Sequence, residues 1–276
     1  MKVIGLLAAL VLFAATNVSA AQFGGVEELS VYPSFQYFTW KEFDRGTRLL
    51  KEDGFLYGAG AAIRVDLLKI ETGSLMLKGK AELFGGVVDY DGQTQPPNPF
   101  PVKTDVTYIG ARAETDLGWR FPVQNVSIEP FAGIGYRWWL RDLHDTTAFD
   151  PSQGRNVQVG AYSEYWQTVY ARLGAHLDYT LSDTWKLFGE AGAKYPFYNS
   201  NTVEFTDVGE KTIRPGKVWS AFAEIGARYK RFRPAVFYEG FRYATSPLVP
   251  IGGNSAIFQP ESESDIFGVS LGWAFK

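Results

Sequence analysis

The chain has 276 residues, 46% of them hydrophobic and 21% charged, and a formal net charge of −3, which gives no electrostatic reason to expect a nucleic-acid partner. It holds no Cys and only 2 His, so disulfide frameworks, thiolate metal sites, cysteine nucleophiles and His-rich metal centres are excluded. Aromatic side chains at 16% and 29 glycines point away from helices, because Gly weakens them and aromatics favour strands.

The first element is a leader. Met1-Lys2, the apolar run from Val3 to Ala15 and the small-residue site Val18-Ser19-Ala20 read as a secretory signal over residues 1–20. That run is too short for a membrane-spanning helix, which needs roughly 20 residues. Residues 21–276 then read as a single domain with a hydrophobic period of two. Ten strands are predicted, in order Leu29 to Trp40, Phe55 to Leu67, Leu75 to Val88, Val106 to Phe121, Val126 to Arg141, Tyr165 to Tyr179, Trp185 to Tyr198, Val218 to Lys230, Phe232 to Tyr243 and Asp265 to Phe275. Each meets the roughly 9 to 11 residues that a tilted strand needs to cross a bilayer.

Charge decides which face is which. In Phe55 to Leu67 the parity of Arg64 and Asp66 opposes an apolar stripe, and the same holds for Lys78, Lys80 and Glu82 in the next strand and for Arg112, Glu114, Asp116 and Arg120 after it. It recurs with Glu129, Arg137 and Arg141; with Arg172, His176 and Asp178; with Lys186, Glu190 and Lys194; with Glu224, Arg228 and Lys230; and with Arg233 and Glu239. Thirteen of these are basic and nine acidic, a slight basic excess. The charged face also alternates Gly with Phe, as at Phe131, Gly133 and Gly135, which suits the taper of a narrow barrel interior. Apolar outside and polar inside is the pattern of a transmembrane barrel, because hydrocarbon tolerates no unpaired backbone group and only a closed sheet satisfies them all.

The connections alternate long and short. Long ones cover residues 41–54, 89–105, 142–164, 199–217 and 244–264, so both termini fall on the side of the short turns. Trp119, Phe121, Tyr179, Trp185, Tyr229 and Phe232 lie on the apolar parity beside the short turns, and Tyr57, Trp138, Tyr165, Tyr195, Trp219 and Tyr238 lie near the long ones, as two interfacial girdles. With these features the chain resembles the bacterial outer-membrane β-barrel proteins. The resemblance implies a transmembrane antiparallel up-and-down β-barrel of about ten strands, with eight or twelve as alternatives. It implies the outer membrane of a Gram-negative bacterium with both termini periplasmic, and contact with lipid, lipopolysaccharide and the barrel-assembly machinery. Phe267, Val269, Leu271, Trp273 and Phe275 are similar to the family's assembly signal, followed here by Lys276.

Three functions fit such a chain. A lumen of interlocked salt bridges gives a plugged barrel with a structural or surface-binding role; a continuous polar conduit gives a narrow porin with slight anion preference; an acid and a base converging near the loops give a hydrolase. The ten-stranded omptin-type proteases are similar in strand count, and Asp89-Tyr90-Asp91 matches their acidic pair, but residues 199–217 contain no His to match their Asp-x-His. His144-Asp145 and Ser152 are adjacent in sequence without triad geometry. His176 is expected to be a hydrogen-bonded interior histidine, and Asp89, Asp91 and the acidic run Glu261 to Asp265 solvated loop residues. Clustered Phe100 and Phe149 would mark a binding surface, and Gln95 to Pro101 should be a stiff extended stretch. No catalytic residue, metal or cofactor is expected.

Overall fold

The computed structural model describes residues 24–94, 98–205, 209–253 and 255–275. The expected leader, Lys276 and residues 95–97 of the Pro-rich stretch lie outside the described residues.

The described strands are β1 (Gly25–Asp44), β2 (Thr47–Ile70), β3 (Gly73–Gln93), β4 (Pro101–Val123), β5 (Val126–Leu143), β6 (Thr146–Asp150), β7 (Arg155–Val159), β8 (Ser163–Thr180), β9 (Trp185–Phe205), β10 (Gly209–Ile213), β11 (Ser220–Tyr229), β12 (Phe232–Tyr243), β13 (Val249–Gly252), β14 (Ser255–Ile257) and β15 (Glu261–Ala274). Ten of them, β1-β2-β3-β4-β5-β8-β9-β11-β12-β15, form an antiparallel ring that closes where β15 pairs with β1. These are the ten strands read from the period of two. β10 folds back on β9, while β6–β7 and β13–β14 are separate hairpins.

The long connections are not loops. The β1–β2 ladder runs up to Asp44↔Thr47, and the turn between them, Arg45-Gly46, has φ of 48° and 79°. Two left-handed residues make a turn whose twist matches the strands it joins. The β3–β4 ladder likewise runs to Gln93↔Pro101 and β9–β10 to Phe205↔Gly209. β1 to β4 are 20, 24, 21 and 23 residues long, about twice what a crossing requires. The apolar outer stripe stops where the wall meets water, but backbone pairing does not depend on that stripe and continues past it.

The protein is hydrophobic on its outer wall: Leu83 is 68% and Ile225 64% exposed. Rings of Tyr37 and Tyr238 lie on that wall and donate their hydroxyls to Asp53 at 2.5 Å and Asp265 at 2.7 Å, which marks where apolar surface gives way to polar. Inside, a Cβ on Gly110 or Gly226 would collide with the rings of Phe84 or Phe188, so large and small residues must alternate across adjacent strands.

Candidate functional site

In the half of the lumen nearer the short turns, the interior is ionic. Arg64 on β2 donates to Glu129 at 2.7 Å, to Asp178 at 3.4 Å and to Nε2 of His176 at 2.9 Å. Nε2 of His176 also lies 3.2 Å from Asp178, and its Nδ1 lies 3.5 Å from Glu190. Arg120 grips Glu27 through two bonds of 2.7 Å, and Arg228 reaches Glu28 at 3.0 Å. Lys78 pairs with Glu190, and Lys80 with Glu224 at 3.1 Å. Nearer mid-barrel Arg172 pairs with Glu114, with Glu190 at 2.9 Å and with Asp116 at 3.5 Å. Arg112 bridges Glu82, at 2.5 Å, and Glu239, which also holds Lys194 at 3.3 Å. Asp66 is half-buried, and Lys186 lies exposed at the rim.

The hairpin half is filled by rings. Trp139 and Trp166 stack 5.3 Å apart, Trp40 meets Trp166 at 5.0 Å, and Tyr243 closes the group at 5.3 Å from Trp166. Fully buried Arg141 sits beside this cluster, bonded to Glu52 and, at 2.8 Å, to Glu164. The indoles of Trp166 and Trp40 donate to Glu164 at 2.7 Å and Glu42 at 2.9 Å. Gln259, carried in by the segment before β15, donates to Glu42 at 2.9 Å and accepts from Asn201 at 3.1 Å. A continuous polar network thus crosses the lumen among the rings.

Glu28, Glu42, Glu52 and Glu164 are interior carboxylates that the sequence reading missed. They cancel the basic excess expected of the lumen, and with it the expected anion preference. Continuing the parity of Phe38 through Trp40 to Glu42 would have found one of them. Arg137 is the odd cation: it is buried, has no ion-pair partner among the described residues, and packs 4.6 to 5.0 Å from the ring centroids of Phe241, Phe84 and Trp139.

Beyond the girdle stands a crown of hairpins. In β6–β7, Ser152 donates to Asp150 through its hydroxyl at 2.6 Å and its backbone N–H at 2.8 Å, which holds the Asp150 carboxyl below its usual range. Phe149 is exposed whereas Phe100 packs against the buried cluster, so these two aromatics do not form one patch. His144 bonds Thr107 at 2.8 Å while Ser152 is engaged by Asp150, so no triad assembles. Asp91 lies 3.8 Å from Lys103 on the exposed wall. The acidic run expected as a solvated loop end is strand β15 instead, with Glu263 paired to Lys41 at 3.1 Å and Asp265 to Arg242 at 2.6 Å. Among the described residues no cluster of three or more His, Asp or Glu could hold a metal ion.

Residues 80–231 match the autotransporter beta-domain. No curated protein matches the sequence. Among solved structures, outer membrane protease OmpT from Escherichia coli is similar at 14% identity and a TM-score of 0.59, over 94% of this chain and 99% of that one. The beta domain of the Bordetella autotransporter BrkA is similar at 15% identity and a TM-score of 0.35, over 87% and 98%. A major outer membrane protein from Thermus thermophilus gives 16% identity and a TM-score of 0.38, over 88% and 99%. The chain folds as a closed ring of ten strands, and the autotransporter match takes in more than half of the sequence: the chain is an outer-membrane β-barrel and belongs to the autotransporter beta-domain family.

Proposed function

We propose that this protein is a closed outer-membrane barrel that works at the cell surface, presenting its hairpin crown to a ligand or a neighbouring surface. The observation that carries the reading is the length of β1 to β4, 20 to 24 residues where roughly 9 to 11 would cross. A barrel that only braced the envelope would gain nothing from ten or more further residues per strand. Apolar side chains in the crown, Leu248, Phe149 and Phe258, are exposed.

In this proposal residues 1–20 are the removed leader, the short turns and both termini face the periplasm, and lipopolysaccharide surrounds the outer half of the wall. The outward side chains Phe267, Val269, Leu271, Trp273 and Phe275 are the segment offered to the barrel-assembly machinery. Against a porin, or the passage that the word autotransporter suggests, stands the packing of Trp40, Trp139, Trp166 and Tyr243 across the lumen. Against a protease such as OmpT stands the lack of His in residues 199–217.

The test pairs two measurements. Purified barrels in a planar bilayer should show no steady conductance, and cells displaying the protein should bind glycan or extracellular-matrix arrays in a way lost when residues 146–159 are replaced by a short turn. Steady ion-selective openings, or surface binding unaffected by trimming each crown hairpin in turn, would overturn the reading.

A further inference from the structure

At the seam where β1 meets β15, the lower lumen contains a small cavity of about 20 Å³, room for one water-sized species. Ser30, Tyr32, Lys78, Lys80, Glu224 and Arg233 line it. Tyr32 is more than nine-tenths buried, and its hydroxyl has no hydrogen-bond partner among the described residues. A buried O–H left unpaired is costly, so something in the cavity should accept from it.

The lining is rich in donors. Lys80 reaches Glu224 at 3.1 Å, Lys78 pairs with Glu190, and Arg233 lies 3.6 Å from Glu28 and 3.7 Å from Glu224. Each ammonium carries three N–H donors and the guanidinium five, so these pairings leave several unused. Glu224 is the one carboxylate on the lining and is already shared by two cations. A water molecule would accept from Tyr32 but bring two more donors into this surplus. A monatomic anion brings acceptor capacity alone. Phosphate and sulfate are too large for the space.

We propose that the cavity is a binding site for a single halide ion, chloride in the natural setting, held by the Tyr32 hydroxyl and the Lys78, Lys80 and Arg233 cations. The ion ties β1, β3 and β12 together beside the seam that closes the barrel, so its binding stabilises the closed ring. This is independent of what the crown binds.

The probe is bromide. Crystals of the full barrel grown in sodium bromide and measured at the bromine edge should show an anomalous peak in contact with Tyr32 Oη and Lys80 Nζ. The folded barrel in detergent should also unfold about ten-fold more slowly in sodium bromide than in sodium gluconate of equal ionic strength. Tyr32→Phe keeps the ring and removes the donor, and should reduce that ratio to near one while leaving the gluconate rate little changed. If that variant fails to fold, Lys80→Gln, which removes another of the named ligands, gives a second reading, and the wild-type map stands by itself. A map with no bromide peak in the cavity, hence one water only, or a halide effect equal in wild type and variants, would overturn the proposal.

Discussion

In the half of the lumen near the short turns, Glu129, Glu190 and Glu224 each touch two cations, so the charges form a mesh with alternative partners. In the hairpin half a single guanidinium, Arg141, serves both Glu52 and Glu164, and stacked rings fill the remaining section. The mesh tolerates the loss of a member because each orphaned group has another partner at hand. The hairpin half has no second cation in reserve: one buried guanidinium neutralises two carboxylates, and removing it leaves both charges unpaired even though Trp166 and Tyr108 still donate to them.

Substitutions can break this contrast in order of size. Arg141→Met should cost about 5 kcal/mol, because Glu52 and Glu164 are left buried and uncompensated; the urea midpoint of the barrel in detergent, read by gel mobility, measures it. Trp166→Phe should cost about 2 to 3 kcal/mol through the lost indole bond to Glu164 and lost contact, visible in the same midpoint and in the tryptophan emission. Arg64→Met should cost about 2 kcal/mol or less, less than a typical broken buried pair, because Glu129 and Glu27 keep Arg120 and Asp178 keeps His176. A cost equal to that of Arg141→Met would abolish the distinction between the two halves.

Arg137→Met should change the midpoint by no more than about 1 kcal/mol in either direction, since no carboxylate is stranded and an unpaired desolvated charge is removed along with its ring contacts. The smallest effect lies outside the lumen. Asp150, held below its ordinary value of 3.8 by Ser152, steadies the β6–β7 turn at neutral pH. A depressed carboxyl contributes stability that is present above its unfolded pKa and lost as pH falls through the folded one. Protection of the Ser152 amide from hydrogen exchange should therefore decline only below about pH 3.8, with the barrel strands unaffected.

The sequence was informative wherever two opposite environments share a strand. Between lipid and lumen, residues such as Arg112 and Ala113 differ so sharply in polarity that the period of two locates all ten barrel strands and orients their faces. Past the girdle that contrast inverts. Lys41, Lys51 and Glu263 face water from the outer wall, while Trp40, Glu42 and Glu52 face inward, so a rule that polar means lumen fails there. Hence the crown read as loops, and Glu42, Glu52 and Glu164 went unassigned. Gln259 was beyond reach for another reason, because its bond to Glu42 spans 217 residues and depends on how the segment before β15 folds inward.

That same bond has a consequence for assembly. β1 has its first neighbour, β2, across a two-residue turn, but its second neighbour, β15, follows all the other strands of the ring. Non-local pairing is slow because chain closure precedes the contacts that reward it, so the β1–β15 ladder and the Glu42–Gln259 bond are expected to form late and together. Until then the ring is an open sheet, with Glu42 lacking Gln259 and the lower seam unclosed. The lumen is therefore sealed and the circle completed by one event, and a nascent barrel lacking its final strand has no partly stable version of either.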